Sequence, residues 1–151
     1  MKKKDNMKRV FISAVVFFIA TQFSFSQISN GFWQEKTQNV SDAYLGGYHF
    51  TGKTFEYTIN GYDGLNPITA FGGEYAIKNG KIFFSVTYIK KVVGGQLCRS
   101  ETSTLNDSWS IEGGKISIVK LNPSINAIAN IEIGDNYLII DKQKFYKVEA
   151  N

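Results

Sequence analysis

Apolar and polar residues alternate with a period of two along most of this chain. Phe55, Tyr57 and Ile59 alternate with Glu56, Thr58 and Asn60, and Tyr75 and Ile77 alternate with Glu74, Ala76 and Lys78. Side chains two apart on a strand share a face, so each run predicts a strand with one face on a core and one in water. Ile82, Phe84, Val86 and Tyr88 extend the pattern as one apolar face. Trp109 with Ile111, Ile116 with Ile118, and Ile131 with Ile133 continue it. No window carries a helical period. The alternation predicts strands over 31–37, 44–50, 54–60, 73–78, 81–89, 105–112, 115–121, 128–134, 136–141 and 144–149, the second interrupted by Gly46-Gly47.

One segment recurs. Residues 74–84 read aromatic-x-Ile-x, then Asn79-Gly80, then Lys81-Ile82; residues 108–118 repeat this in degenerate form around Gly113-Gly114. Such dipeptides between alternating runs signal tight hairpins, because the turn needs positive φ at little steric cost. Two copies predict an antiparallel meander. Eight to ten sequential strands would leave two bare edges, and closing the sheet on itself removes them. The predicted fold is therefore all-β, an up-and-down meander closed into a barrel, with a sandwich of the same strands as the alternative. In a meander, connections alternate between two ends. The short ones near Gly52, Asn79-Gly80, Gly113-Gly114 and Gly134-Asp135 then share one end, and the longer segments 38–43, 61–72, 90–104 and 122–127 share the other. The short connection near Lys142 breaks this rule. The expected shape is a cup.

The N-terminus changes the charge balance. Residues 1–9 are basic, 10–20 are apolar, and Ser24 and Ser26 supply the small residues of a cleavage site, so 1–26 is expected to be a secretory signal peptide. The apolar run is shorter than the roughly 20 residues of a spanning helix. The chain holds 17 Lys and Arg against 13 Asp and Glu, and 1–26 holds five basic residues and one acidic, which leaves 12 of each in 27–151. That neutral balance gives no electrostatic case for nucleic acid. Residues 27–151 are read as a single domain, exported to the periplasm or beyond, without stable membrane insertion after cleavage. Cys98 is the only cysteine, so no intrachain disulfide can form.

Candidate chemistry is sparse. His49 is the sole histidine, too few for a metal site and without a nucleophile motif nearby. Glu56 and Glu74 fall on the polar phase of their strands, where solvated surface is the expected environment. No catalytic residue, metal or cofactor is predicted. The aromatic residues Tyr57, Tyr75, Phe84, Tyr88 and Trp109 share the apolar phase and are expected in the interior, where they either fill a barrel or line a cavity. Tyr62, Leu65, Phe71 and Arg99 are expected at the loop-rich rim, with Val92 and Val93 beside them; the rim either binds a partner or caps the core.

Gly31-Phe32-Trp33 at the start of the first strand resembles the Gly-x-Trp motif of lipocalins. Gly73, Tyr75, Ile77, Asn79, Gly80 and Ile82 have the hairpin spacing of the small secreted lipocalin-like proteins common in Bacteroidetes. The resemblance implies that Trp33 plugs the closed end of the cup, with Lys147 the candidate to pack over it. It also implies a binding protein without enzymatic activity, taking a small apolar or amphiphilic ligand in the barrel. The alternative is a protein-binding module, such as a hydrolase inhibitor, that uses the long-loop rim. The chain departs from lipocalins in lacking a C-terminal helix pattern and a cysteine pair.

Overall fold

The computed structural model describes residues 27–36, 45–61, 64–99 and 109–148. The expected signal segment, the expected loop 38–43 and Tyr62 lie outside them. Among the described residues there are ten strands: β1 (Gly31–Glu35), β2 (Gly47–Thr51), β3 (Thr54–Thr58), β4 (Ile68–Lys78), β5 (Lys81–Val93), β6 (Gln96–Arg99), β7 (Trp109–Glu112), β8 (Lys115–Ile133), β9 (Tyr137–Ile140) and β10 (Gln143–Val148). Eight of them form an antiparallel ring in the order β1-β10-β9-β8-β5-β4-β3-β2, and β6 and β7 pair separately. The all-β meander and its closure follow the alternation. Among the described residues no helix is long and apolar enough to cross a membrane.

The two copies of the hairpin motif part company. Asn79 and Gly80 both have positive φ, 53° and 69°, and reverse the chain between β4 and β5 with Lys78 opposite Lys81. Gly113-Gly114 does not reverse it. β7 pairs with β6 and β8 pairs with β5, so the chain runs on through these glycines as one arm of a long ribbon. Gly94 and Gly95, with φ of 70° and 93°, lie beside them on the other arm. The predicted second hairpin is thus a joint in a ribbon.

Segment 122–127, expected as a loop, is strand. β8 runs unbroken for 19 residues. Pro123 fits because the ladder skips there: Ile125 lies opposite Val86 and Lys120 opposite Tyr88, leaving 121–124 bulged out. Pro lacks the donor a ladder needs, so bulges are among the places where strands tolerate it. Segments 61–72 and 90–104 also hold strand, since β4 begins at Ile68, β5 continues to Val93 and β6 follows.

Gly72-Gly73, expected beside a loop, sits inside β4 at a second register shift. A Cβ on Gly73 would collide with the Ser85 carbonyl and come within 2.9 Å of the Thr87 nitrogen; one on Gly72 would come within 2.6 Å of the Phe55 carbonyl. The neighbouring backbones leave no room.

Inward residues pack one end solid. Ile28, Trp33, Phe50, Ile82 and Leu138 are the largest fully buried side chains, each contributing roughly 1.5–3 kcal/mol by burial. Trp33 is 1% exposed. Its indole Nε1 donates to the Ser29 carbonyl at 3.1 Å, and Lys147 Nζ lies 5.7 Å from the ring centroid while donating to Ser29 Oγ at 3.0 Å.

The strand lengths are unequal. β9 pairs with β8 only over Ile131–Ile133, whereas β5 pairs with β8 as far as Lys115. Above Asn130, no described strand lies along the other side of β8. Ile125 shows the result: its partner Val86 is buried, yet Ile125 is 59% exposed.

Gly80→Ala should cost about 1–2 kcal/mol, the price of a left-handed alanine in open space. Gly73→Ala should cost about 3 kcal/mol, as overpacking against a backbone, although its own φ is not positive. Urea unfolding of the two variants checks the order.

Candidate functional site

Inward residues of β2, β3, β4, β5 and β10 build an aromatic wall above the packed end. Tyr48 is its hub. Its ring lies 4.7 Å from Tyr57, 5.1 Å from Phe145, 5.5 Å from Phe50 and 5.7 Å from Phe84, centroid to centroid. Phe55 lies 4.7 Å from Phe84, and Phe71 lies 5.2 Å from Tyr57. These rings enclose part of a cavity of about 310 Å³, at the low end of the roughly 300–1,000 Å³ typical of small-molecule sites.

The cavity reaches the side of the barrel. Its remaining lining includes Ala127, Ile128 and Ala129 along the bare edge of β8, and Asp141 and Gln143 at the turn between β9 and β10. The short β9 therefore leaves a lateral notch. Larger and somewhat more open depressions of about 440 and 560 Å³ follow Thr87 and Tyr88 along the outer wall.

One hydroxyl in the wall is partnered by a carboxylate. Tyr57 Oη donates to Glu35 Oε1 at 3.0 Å. Burial first, then Glu35 and Asp141, pushes the Tyr48 hydroxyl up to about 12. Burial and Glu35 also hold Tyr57 far above the ordinary tyrosine range. At the turn, Asp141 and Lys142 both have positive φ, 46° and 77°, a region that non-glycine residues seldom occupy. The Asn130 N–H donates to Asp141 Oδ1 at 2.8 Å, and the Asp141 N–H donates to the Asn130 carbonyl at 3.1 Å. Those two bonds clamp the turn to β8.

Of the five expected interior aromatics, Tyr57 and Phe84 line the cavity. Tyr75 is buried below it and donates to the Gly52 carbonyl at 3.0 Å. Tyr88 is not inside. Thr87 is an extra residue in the ladder on both sides of β5, which flips the phase and puts Tyr88 on the outer wall. There its Oη donates to Glu56 Oε2 at 2.8 Å, and Lys90 Nζ lies 2.8 and 2.7 Å from the two Glu56 oxygens. Burial raises the Glu56 carboxyl, but the bonds from Lys90 and Tyr88 outweigh it and hold Glu56 below its ordinary value. Trp109 is also outside the core. It sits on β7 opposite Arg99, 46% exposed, because the ribbon carries it away from the ring.

The rim residues divide as well. Phe71 belongs to β4 and lines the cavity, a correction caused by the early start of that strand. Leu65 and Arg99 are exposed, and the β6–β7 ribbon meets the loop beside Leu65 through an Ile111 N–H bond to the Gly64 carbonyl at 3.3 Å. Tyr62 lies outside the described residues. Cys98 is half-buried on β6, and burial together with Glu112 raises its thiol, which disfavours the reactive thiolate. His49 is exposed on the outer wall with Glu56 as its cross-strand partner.

Sequence reasoning did not single out Tyr48, Phe145, Glu35 or Asp141. Tyr48 alternates with Phe50 and Phe145 with Lys147, signals present but blurred by Gly46-Gly47 and by Tyr146. Nothing local marks Glu35, which faces inward because Trp33 does. Among the described residues no three of His, Cys, Asp and Glu gather to hold a metal. Comparison with family models, curated proteins and solved structures finds no match to this chain.

Four tyrosines make stability depend on alkaline pH. Tyr48, Tyr57, Tyr75 and Tyr88 are all raised above 10.0, so the folded chain holds these protons more tightly than the unfolded one. Their contribution is complete below pH about 10 and is lost as pH climbs toward the folded values. Urea midpoints should fall between pH 10 and 12. Tyr57→Phe should cost about 1 kcal/mol at pH 7, for the lost Glu35 bond, and should show a shallower alkaline fall.

Proposed function

We propose that the protein is a non-enzymatic binding protein that holds a small, largely apolar molecule in the aromatic cavity and admits it through the lateral notch. The observation that carries this reading is the interior itself. One end is packed solid, while the other keeps about 310 Å³ open beneath six aromatic rings. A barrel built only for stability gains by filling such space, since an unfilled void forfeits contacts along its lining. The lipocalin-like reading is supported further by Trp33, buried at the packed end with Lys147 over its ring. An exported location fits the pattern of residues 1–26.

A second reading draws on the bare edge of β8. Ile116, Ile118, Ile125 and Ile128 are all about 60% exposed there, and an unpaired apolar edge is a template for strand addition. In that reading a partner protein lies along β8 and the notch, and the double variant Ile118→Lys, Ile125→Lys would release it.

Protein purified from its native host, analysed by native mass spectrometry, should carry a small molecule in stoichiometric amount. Ala127→Trp, which places an indole at the notch opposite Phe84, should lose that mass while keeping its unfolding midpoint within about 1 kcal/mol of wild type, as surface changes usually do. Bare wild-type protein, or equal loading of the variant, would count against the cavity as a ligand site.

A further inference from the structure

The cavity has a charge as well as a shape. We propose that it selects an organic cation: an amine or quaternary ammonium group carried on a short apolar chain. This rests on reading the cavity as a ligand site and adds the class of molecule it takes.

Three observations converge. First, the walls are aromatic. Tyr48, Tyr57, Phe84 and Phe145 all line the space, and the negative face of an aromatic ring attracts a cation, more strongly where water is excluded.

Second, the polar boundary is acidic. Asp141, exposed at the mouth, is the one charged side chain among the lining residues, and its chain neighbour Lys142 is exposed outside them. Glu35 adds a second carboxylate through its bond to Tyr57. Both lie close enough to add to the rise that burial imposes on the Tyr48 hydroxyl. A ligand carboxylate entering here would meet two like charges. A ligand ammonium would meet two opposite ones, the exposed Asp141 and the half-buried Glu35.

Third, Asp141 is held in place. It and Lys142 occupy the left-handed region on a turn tied to Asn130 by two hydrogen bonds. Both residues of this two-residue hairpin turn take the conformation the turn requires, and the two bonds fix where Asp141 sits. The basic groups nearby are otherwise committed or placed: Lys90 pairs with Glu56 on the outer wall, and Lys142 is exposed on the turn.

The test uses three probes with one chain length: octyltrimethylammonium, octanol and octanoate, titrated calorimetrically into protein spanning residues 27–151. The cation should bind at least about tenfold more tightly than octanoate, equivalent to about 1.4 kcal/mol, with octanol between them. Asp141→Asn and Glu35→Gln keep their hydrogen-bond acceptors and remove charge, so each should weaken the cation several-fold and leave octanol unchanged. Octanoate binding as tightly as the cation, or cation affinity unmoved by both variants, overturns the proposed selectivity and leaves the cavity standing as an apolar site. Saturable binding by none of the three probes removes the ligand site and the selectivity together.

Discussion

Closure of the ring rests on β1, which must pair on both sides within five residues. Phe32 to Glu35 face Val148 to Phe145 on one flank, and Gly31 to Gln34 face Phe50 to Gly47 on the other. Such a short strand can close the wall only over a short height. β9, at four residues, imposes the same limit next to β8. Where all eight strands are present, the barrel is narrow enough for side chains to fill it, and they do. Beyond that height only β4, β5 and β8 continue. The solid plug and the notched cavity are therefore two outcomes of one constraint, the mismatch between short and long strands around a single ring.

The same mismatch explains how polar atoms are handled inside. Burying a tyrosine is tolerable only when its hydroxyl finds a partner. Tyr75, deep in the complete part, uses a backbone carbonyl. Tyr57, at the level where the wall opens, uses Glu35, a carboxylate that full enclosure would penalise heavily. No buried side-chain polar atom among the described residues is left without a hydrogen bond. Polarity inside this barrel rises toward the opening, where hydration makes charge affordable.

Much of the architecture was legible because alternation is a short-range signal that closure preserves. The strands around Phe55, Tyr75, Ile82 and Phe145 follow it directly, and Asn79-Gly80 is a true two-residue turn. The misreadings arise where period two is interrupted without a local mark. Thr87 looks like any strand residue, yet as a bulge it moves Tyr88 from the lumen to a bond with Glu56. Gly113-Gly114 carries the hairpin signal, but its flanking strands pair elsewhere, and only the long-range ladder shows this. Pro123 signals a break and instead marks a bulge. The lost hairpin and the lost loop each remove one chain reversal, so the two errors cancel. The connections near Gly52, Asn79-Gly80 and Gly134 thus still fall at one end. The cavity's acidic residues were hidden for a different reason: an inward carboxylate follows from the phase of its neighbours rather than from its own type.

The bond from Lys147 to Ser29 spans 118 positions of sequence. A chain made from its N-terminus therefore carries β1 with one bare flank until its last strand is complete. Until then Trp33 has no lysine above it, and the aromatic wall stays open on that side. Contacts this distant are slow to form, since most of the ordering cost precedes them. The protein's most vulnerable interval is thus the one between the making of β1 and the making of β10, its partner in the ring.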